Sequence, residues 1–172
     1  PPAWQRANFT TTTEAILQSN PGALWIIGNE PDRDKQDGLT PAEYAVFYHD
    51  VYNFLKTRDP SAHLAVAGVV QSTPLRRRYL DMALSEYQAR YGTAMPIDVW
   101  TMHAFILPED YSWGASIPPG LEAYLHEGMK YTIHDHDNIT IFKNNIIDFR
   151  AWMAAHGYRD KPLIITEYGI LL

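Results

Sequence analysis

Four short apolar runs, each leading into polar residues and separated from the next by a helix-length segment, constrain this chain more than any other feature. They cover residues 24–30 (LWIIGNE), 64–70 (LAVAGVV), 97–103 (IDVWTMH) and 162–167 (PLIITE). Runs this short, apolar and bounded by Gly or Pro read as buried strands. Helical crossovers between successive strands imply a parallel sheet.

The intervening segments carry helix signals. Thr11-Thr12-Thr13-Glu14 has the spacing of a capping box and predicts a short helix after it, stopping at Asn20-Pro21-Gly22. Thr40-Pro41-Ala42-Glu43 is a second box, with Pro at the first helical position. Tyr44, Phe47, Tyr48, Val51, Phe54 and Leu55 then recur at helical spacing as far as Asp59-Pro60. Pro74 opens a helix reaching Tyr91, and a fourth runs from Asn138 to His156, closed by Gly157. A long insertion occupies 110–137 and carries Pro118-Pro119-Gly120.

An open doubly wound sheet and a (β/α) barrel both fit this order. The doubly wound fold usually brings a Gly-rich phosphate turn after a strand, and none is present. In a barrel, chemistry sits at the C-terminal strand ends. Here the strands lead into Asn29-Glu30, Gln71-Ser72, His103 and Glu167. Polar groups at one end of apolar strands favour an α/β fold of the TIM-barrel type. The chain would form a partial barrel of four parallel strands with crossover helices, as one domain over 1–172.

Bulk properties exclude several functions. The net charge is −6 and the 14 Lys and Arg residues are scattered, which argues against nucleic acid as a partner. Arg76-Arg77-Arg78 reads as a solvated helix face. Without cysteine there is no disulfide, thiol nucleophile or thiolate metal site. No run of about 18 apolar residues points to a membrane. PPAWQRANFT lacks the form of a signal peptide, so the compartment is left open. The sequons at Asn8 and Asn138 carry little weight.

Glu30 and Glu167 each close an otherwise apolar run, where a carboxylate has lost part of its water and needs partners or a shifted pKa. Either alone reads equally as a salt bridge at a barrel rim. Together they form the pair that glycosidic cleavage requires, one carboxyl as proton donor and one as nucleophile or base. The donor's pKa must be raised, while the nucleophile stays ionised.

Three segments resemble clan A glycoside hydrolases. Trp25-Ile26-Ile27-Gly28-Asn29-Glu30-Pro31 is similar to the Asn-Glu-Pro signature on their fourth strand. Asp98-Val99-Trp100-Thr101-Met102-His103 is similar to their sixth strand, and Ile164-Ile165-Thr166-Glu167-Tyr168-Gly169 to the seventh, which carries the nucleophile. The resemblance implies a retaining glycosidase in which Glu30 is the general acid/base and Glu167 the nucleophile. It also implies that Asn29 bonds the sugar 2-hydroxyl and that His103 lines the pocket. No cofactor is implied, and the partner is a carbohydrate substrate. Only strands four to seven find candidates, so a second chain or further segments are expected to complete the barrel. Many members carry a Tyr where this chain has Phe105, so either Tyr168 or another group supports the nucleophile or the nucleophile is less well held. A weakened or inactive carbohydrate-binding protein is the alternative reading.

Other candidates are weaker. Trp113, in the insertion, suits a sugar platform. Tyr111 is another aromatic of interest, while Trp100 should point away from His103 into packing. Asp32, Asp34 and Asp37 are expected at the cleft rim. The run His134-Asp135-His136-Asp137 is expected to be a polar loop leading into an Asp137 helix cap, not a metal site.

Overall fold

A computed structural model describes residues 7–111 and 113–170. The order is α1 (Ala7–Ser19), β1 (Leu24–Ile27), α2 (Pro41–Arg58), β2 (His63–Val66), α3 (Pro74–Tyr91), β3 (Trp100–His103), α4 (Ile139–Ala155) and β4 (Leu163–Glu167). Two 3₁₀ turns, Glu122–Glu127 and Ile133–Asp135, punctuate the loop between β3 and α4. The fold is mixed α/β, with short parallel strands in two small sheets. β1 pairs with β2 from Leu24↔His63 to Ile27↔Val66, and β3 with β4 from Trp100↔Leu163 to His103↔Glu167. Isolated parallel bridges, Ala65↔Val99 and Val69↔Met102, join β2 to β3. The four strands therefore lie side by side in chain order.

Local chemistry explains most helix ends. At α2 the capping box forms: the Glu43 N–H donates to Thr40 Oγ1 at 3.3 Å, and the Thr40 N–H donates to Glu43 Oε2 at 2.9 Å. Thr73 caps α3, and Gly92 ends it at φ +70°. Two expectations need correction. The helix α1 begins at Ala7, so Thr11-Thr12-Thr13-Glu14 lies inside it; Glu14 pairs instead with Arg58 at 2.6 Å. The cap of α4 is Asn138, not Asp137, because its Oδ1 reaches the N–H groups of Thr140 and Ile141.

The core lies between the strands and the helices. Leu64, Val66, Trp100 and Met102 pack there with Tyr44, Tyr48, Leu80, Phe149 and Met153. Trp100 stands edge-on to Trp152 at 5.1 Å, facing the helices as alternation requires. The Tyr44 hydroxyl donates to Ile27 O at 3.2 Å and accepts the Ala67 N–H at 2.8 Å, tying the ends of β1 and β2 together. Burial on both faces holds for β3 but not for the outer strands. Leu24 and Ile26 of β1 and Ile164 of β4 are about two-fifths exposed, because each outer strand has a neighbour on one side only.

Arg76 contradicts its reading as part of a solvated face: it is fully buried. The start of α3 lies against the loops that follow β1 and β3, and the guanidinium enters the gap between them. Nη1 pairs with Asp32 at 2.8 Å, Nε with Glu109 at 2.9 Å, and Nη2 donates to Ala115 O at 2.7 Å and to Ser116 O. Glu109 also accepts from Thr73 Oγ1 at 2.6 Å and from the Met129 N–H at 2.9 Å. Asp32 therefore lies beneath the rim, fully buried, and not on it. Arg76→Leu strands two buried carboxylates, and breaking one side of such a network costs about 3–5 kcal/mol. A fall of that size in unfolding free energy is expected from denaturant titration; an unchanged midpoint would contradict it.

Candidate functional site

The site forms where β1, β3 and β4 end. Gly28, at φ +97°, turns the chain out of β1; a Cβ there would lie 2.6 Å from Asp37 Oδ2, which accepts the Asn29 N–H at 2.6 Å. Glu30 follows at φ +43°, a left-handed conformation that costs a non-glycine residue about 1–2 kcal/mol. Its N–H is tied to Gly68 O at 3.1 Å. Such an outlier motivates a functional hypothesis, because the surroundings must hold it in place.

The Glu30 side chain is buried and both oxygens are engaged. Oε1 meets His103 Nδ1 at 2.9 Å, and Oε2 accepts from Arg33 Nη1 at 3.1 Å. His103 is itself 1% exposed, and its backbone N–H donates to Val69 O at 2.9 Å. The ring lies flush against residue 68, where a Cβ would sit 2.6 Å from Cδ2. Only glycine leaves that space. Glu167 stands opposite His103 in the β3–β4 register, and its carbonyl accepts the Ala104 N–H at 2.8 Å. The Glu167 carboxylate is half exposed, with Oε1 3.6 Å from His103 Nε2. One imidazole thus spans two carboxylates from non-adjacent strands.

Burial alone would raise the pKa of Glu30. Hydrogen bonds from His103 and Arg33, with their charges, outweigh it and hold the carboxyl below its ordinary value. The resting site therefore keeps Glu30 ionised, opposite to the raised pKa expected of a proton donor. Glu30, His103 and Glu167 each offer a ligand atom within 4.8 Å of the others, a spacing open to a small cation. Among the described residues, His134, His136 and Asp137 form no such grouping.

The other candidates surround this centre unevenly. Asn29 is exposed, and its Nδ2 donates to Gln36 Oε1 at 3.4 Å. Trp113 is 47% exposed and lies 5.5 Å from the His136 ring. Tyr168 is 73% exposed, its ring 6.2 Å from Phe142. Tyr111 is exposed too. Phe105 sets its ring edgewise to His103 at 6.1 Å. A largely apolar cavity of about 410 Å³ adjoins the strand ends, lined by Ala104, Ile106, Ile139, Phe142, Tyr168 and Ile170. Asp34 is exposed and accepts from Ser116 Oγ at 2.9 Å. Sequence reading passed over Arg33 and Gly68. The Glu30-x-x-Arg33 spacing was the available signal for the first; nothing in LAVAGVV marks the second before the His103 ring is seen.

No protein-family model matches the chain, and no curated protein matches it by sequence. Among solved structures it is similar to a GH128 (subgroup II) endo-β-1,3-glucanase from Pseudomonas viridiflava, at 19% identity and a TM-score of 0.49. The match covers 56% of this chain and 39% of the glucanase, so the chain spans about two fifths of its length. A likeness this remote carries no argument about function.

A carboxyl whose pKa is depressed by folding contributes stability above its unfolded pKa and loses it as pH falls through the folded value. Folding should therefore weaken on acidification partly through Glu30, and Glu30→Gln should flatten that dependence. Unfolding free energies measured from neutral to acid pH check this; identical slopes in both proteins would contradict it.

Proposed function

We propose that the protein is a glycoside hydrolase that cleaves O-glycosidic bonds by a retaining double displacement, with Glu30 as acid/base and Glu167 as nucleophile. The observation that carries this reading is the convergence of two carboxylates, one buried and one open, on a single buried imidazole. Residues 1–172 then belong to one catalytic domain and form part of a (β/α)8 barrel. Chain-order pairing of parallel strands supports that architecture.

In the proposed reaction, the Glu167 carboxylate attacks the anomeric carbon while the bond to the leaving oxygen breaks. Glu30 delivers its proton to that oxygen. Water, deprotonated by Glu30, then displaces Glu167 from the sugar. Retaining pairs stand about 5–5.5 Å apart, against roughly 6.5–9.5 Å when a water must fit between them. Oxygens of Glu30 and Glu167 within 4.8 Å support the first case. The exposure of Glu167 suits attack on substrate, and the burial of Glu30 suits a group that exchanges one proton. In this scheme the exposed Asn29 bonds the sugar 2-hydroxyl, His103 holds Glu30 and lies beside Glu167, and the exposed rings of Trp113 and Tyr168 stack on pyranose C–H groups. The scheme uses no cofactor.

A carbohydrate-binding protein without turnover is the second reading. It is favoured by one observation: Phe105 stands beside His103 without a hydroxyl to offer Glu167. Kinetics on a panel of aryl glycosides separates the two. Glu167→Ala should abolish turnover but spare sugar binding. Glu30→Gln should lose about 10²–10⁴-fold on substrates with poor leaving groups, and much less where the leaving group needs no proton. Absence of cleavage across the panel, with sugar binding unchanged in Glu167→Ala, would leave only the binding reading.

A further inference from the structure

The proposed reaction asks Glu30 to carry a proton, yet one of its oxygens is paired with a permanent cation. Oε1 lies 2.9 Å from His103 Nδ1, which donates or accepts according to the tautomer, whereas Oε2 accepts at 3.1 Å from the Arg33 guanidinium, which can only donate. A guanidinium on a carboxyl oxygen favours the ionised form over the neutral acid. The carboxyl has little freedom to turn away. Its backbone is held at φ +43° by the bond to Gly68 O, and the side chain is 2% exposed. The guanidinium must therefore move aside for the neutral acid to be favoured.

The two partners are unequal. His103 is locked: its ring fills the space that Gly68 leaves, and its backbone is tied to Val69. Arg33 is one-quarter exposed, on the loop after Glu30. Its second nitrogen, Nη2, donates to Gly114 O at 3.1 Å, so the side chain straps the loop after β1 to the segment that carries Trp113. Gly114 is at φ +96° and packs so closely on Pro108 that a Cβ would lie 2.8 Å from it, which fixes the carbonyl receiving the strap.

We propose that Arg33 is a positioning residue that acts as a latch on Glu30, covering Oε2 in the resting protein and withdrawing when the glycosidic oxygen approaches, so that Glu30 can hold the proton it donates. The inference rests on Glu30 being the acid of the proposed hydrolase. With the latch closed, the guanidinium favours the carboxylate over the acid that a leaving group needs. Opening it removes that cation from Oε2, so that burial weighs more heavily toward the neutral acid. The charged and titratable groups facing Glu30 are Arg33 from its own loop, His103 from β3 with Glu167 beyond it on β4, and buried Asp32, which is paired with Arg76 of α3. Of these groups, Arg33 is the cation on a partly exposed side chain, whereas Arg76 is fully buried. The lowered pKa of Glu30 in the closed state agrees with this geometry.

The test compares wild type with Arg33→Met, which keeps the stem and removes the fork, and with Arg33→Lys, which keeps the charge. Arg33→Gln substitutes if the Met variant does not fold. Glu30 is titrated directly by carboxyl ¹³C NMR, assigned by its loss in Glu30→Gln, and kcat/KM on an aryl glycoside is followed against pH. The latch predicts that the Glu30 midpoint rises in Arg33→Met and rises less in Arg33→Lys. The alkaline limb of kcat/KM, which reports loss of the donor proton, moves up with it. A Glu30 midpoint unchanged in Arg33→Met overturns the proposal. So does a midpoint that rises while the alkaline limb stays in place. The NMR titration needs no turnover. Failure of the hydrolase reading therefore shows separately, as an absence of cleavage by every protein including wild type.

Discussion

The contact between His103 and Glu30 organises everything else at this site. A buried carboxylate is costly unless it is hydrogen-bonded and paired; His103 bonds it from the far side of β2, and Arg33 supplies the opposite charge. That contact requires β2 to be thin at one point, which is why residue 68 is glycine. It requires β1 to end in a left-handed turn, and β3 and β4 to stay in register so that Glu167 reaches the same ring. The Arg76 hub beneath it fixes the two loops that frame the opening. The site is thus held from below and from one side, while Arg33 and Glu167 stay partly exposed at its opening.

Much of the topology was legible because it depends on local chemistry. Thr40 and Thr73 cap where a Thr-Pro start predicts, and the apolar runs became parallel strands. Strand ends were less legible. The run LWIIGNE reads as continuous to Glu30, but pairing stops at Ile27, because Gly28 and Glu30 adopt positive φ to aim the carboxylate inward. Locally, sequence pattern and backbone disagree there, as they tend to at functional positions.

The candidate site was legible as a set of residue types but not as a geometry. Glu30, His103 and Glu167 could be singled out because polar groups at the ends of apolar strands are unusual. Arg76 could not. A guanidinium on an amphipathic helix looks solvent-facing until the groups that cover it are placed, and those come from Asp32, Glu109, Ala115 and Ser116. The same holds for Arg33, whose meaning lies in the oxygen it occupies. Tertiary burial, not local propensity, decided both.

The central claim is that Glu167 attacks the anomeric carbon and carries the sugar as a covalent ester. Incubation with a panel of 2-deoxy-2-fluoro glycosides bearing activated leaving groups, followed by intact-mass and peptide-level mass spectrometry, tests this most directly. The account predicts one fluoroglycosyl adduct, on the peptide containing Glu167, absent in Glu167→Ala. An adduct mapped to Glu30, or hydrolysis of a parent aryl glycoside with inversion at the anomeric carbon, would contradict it.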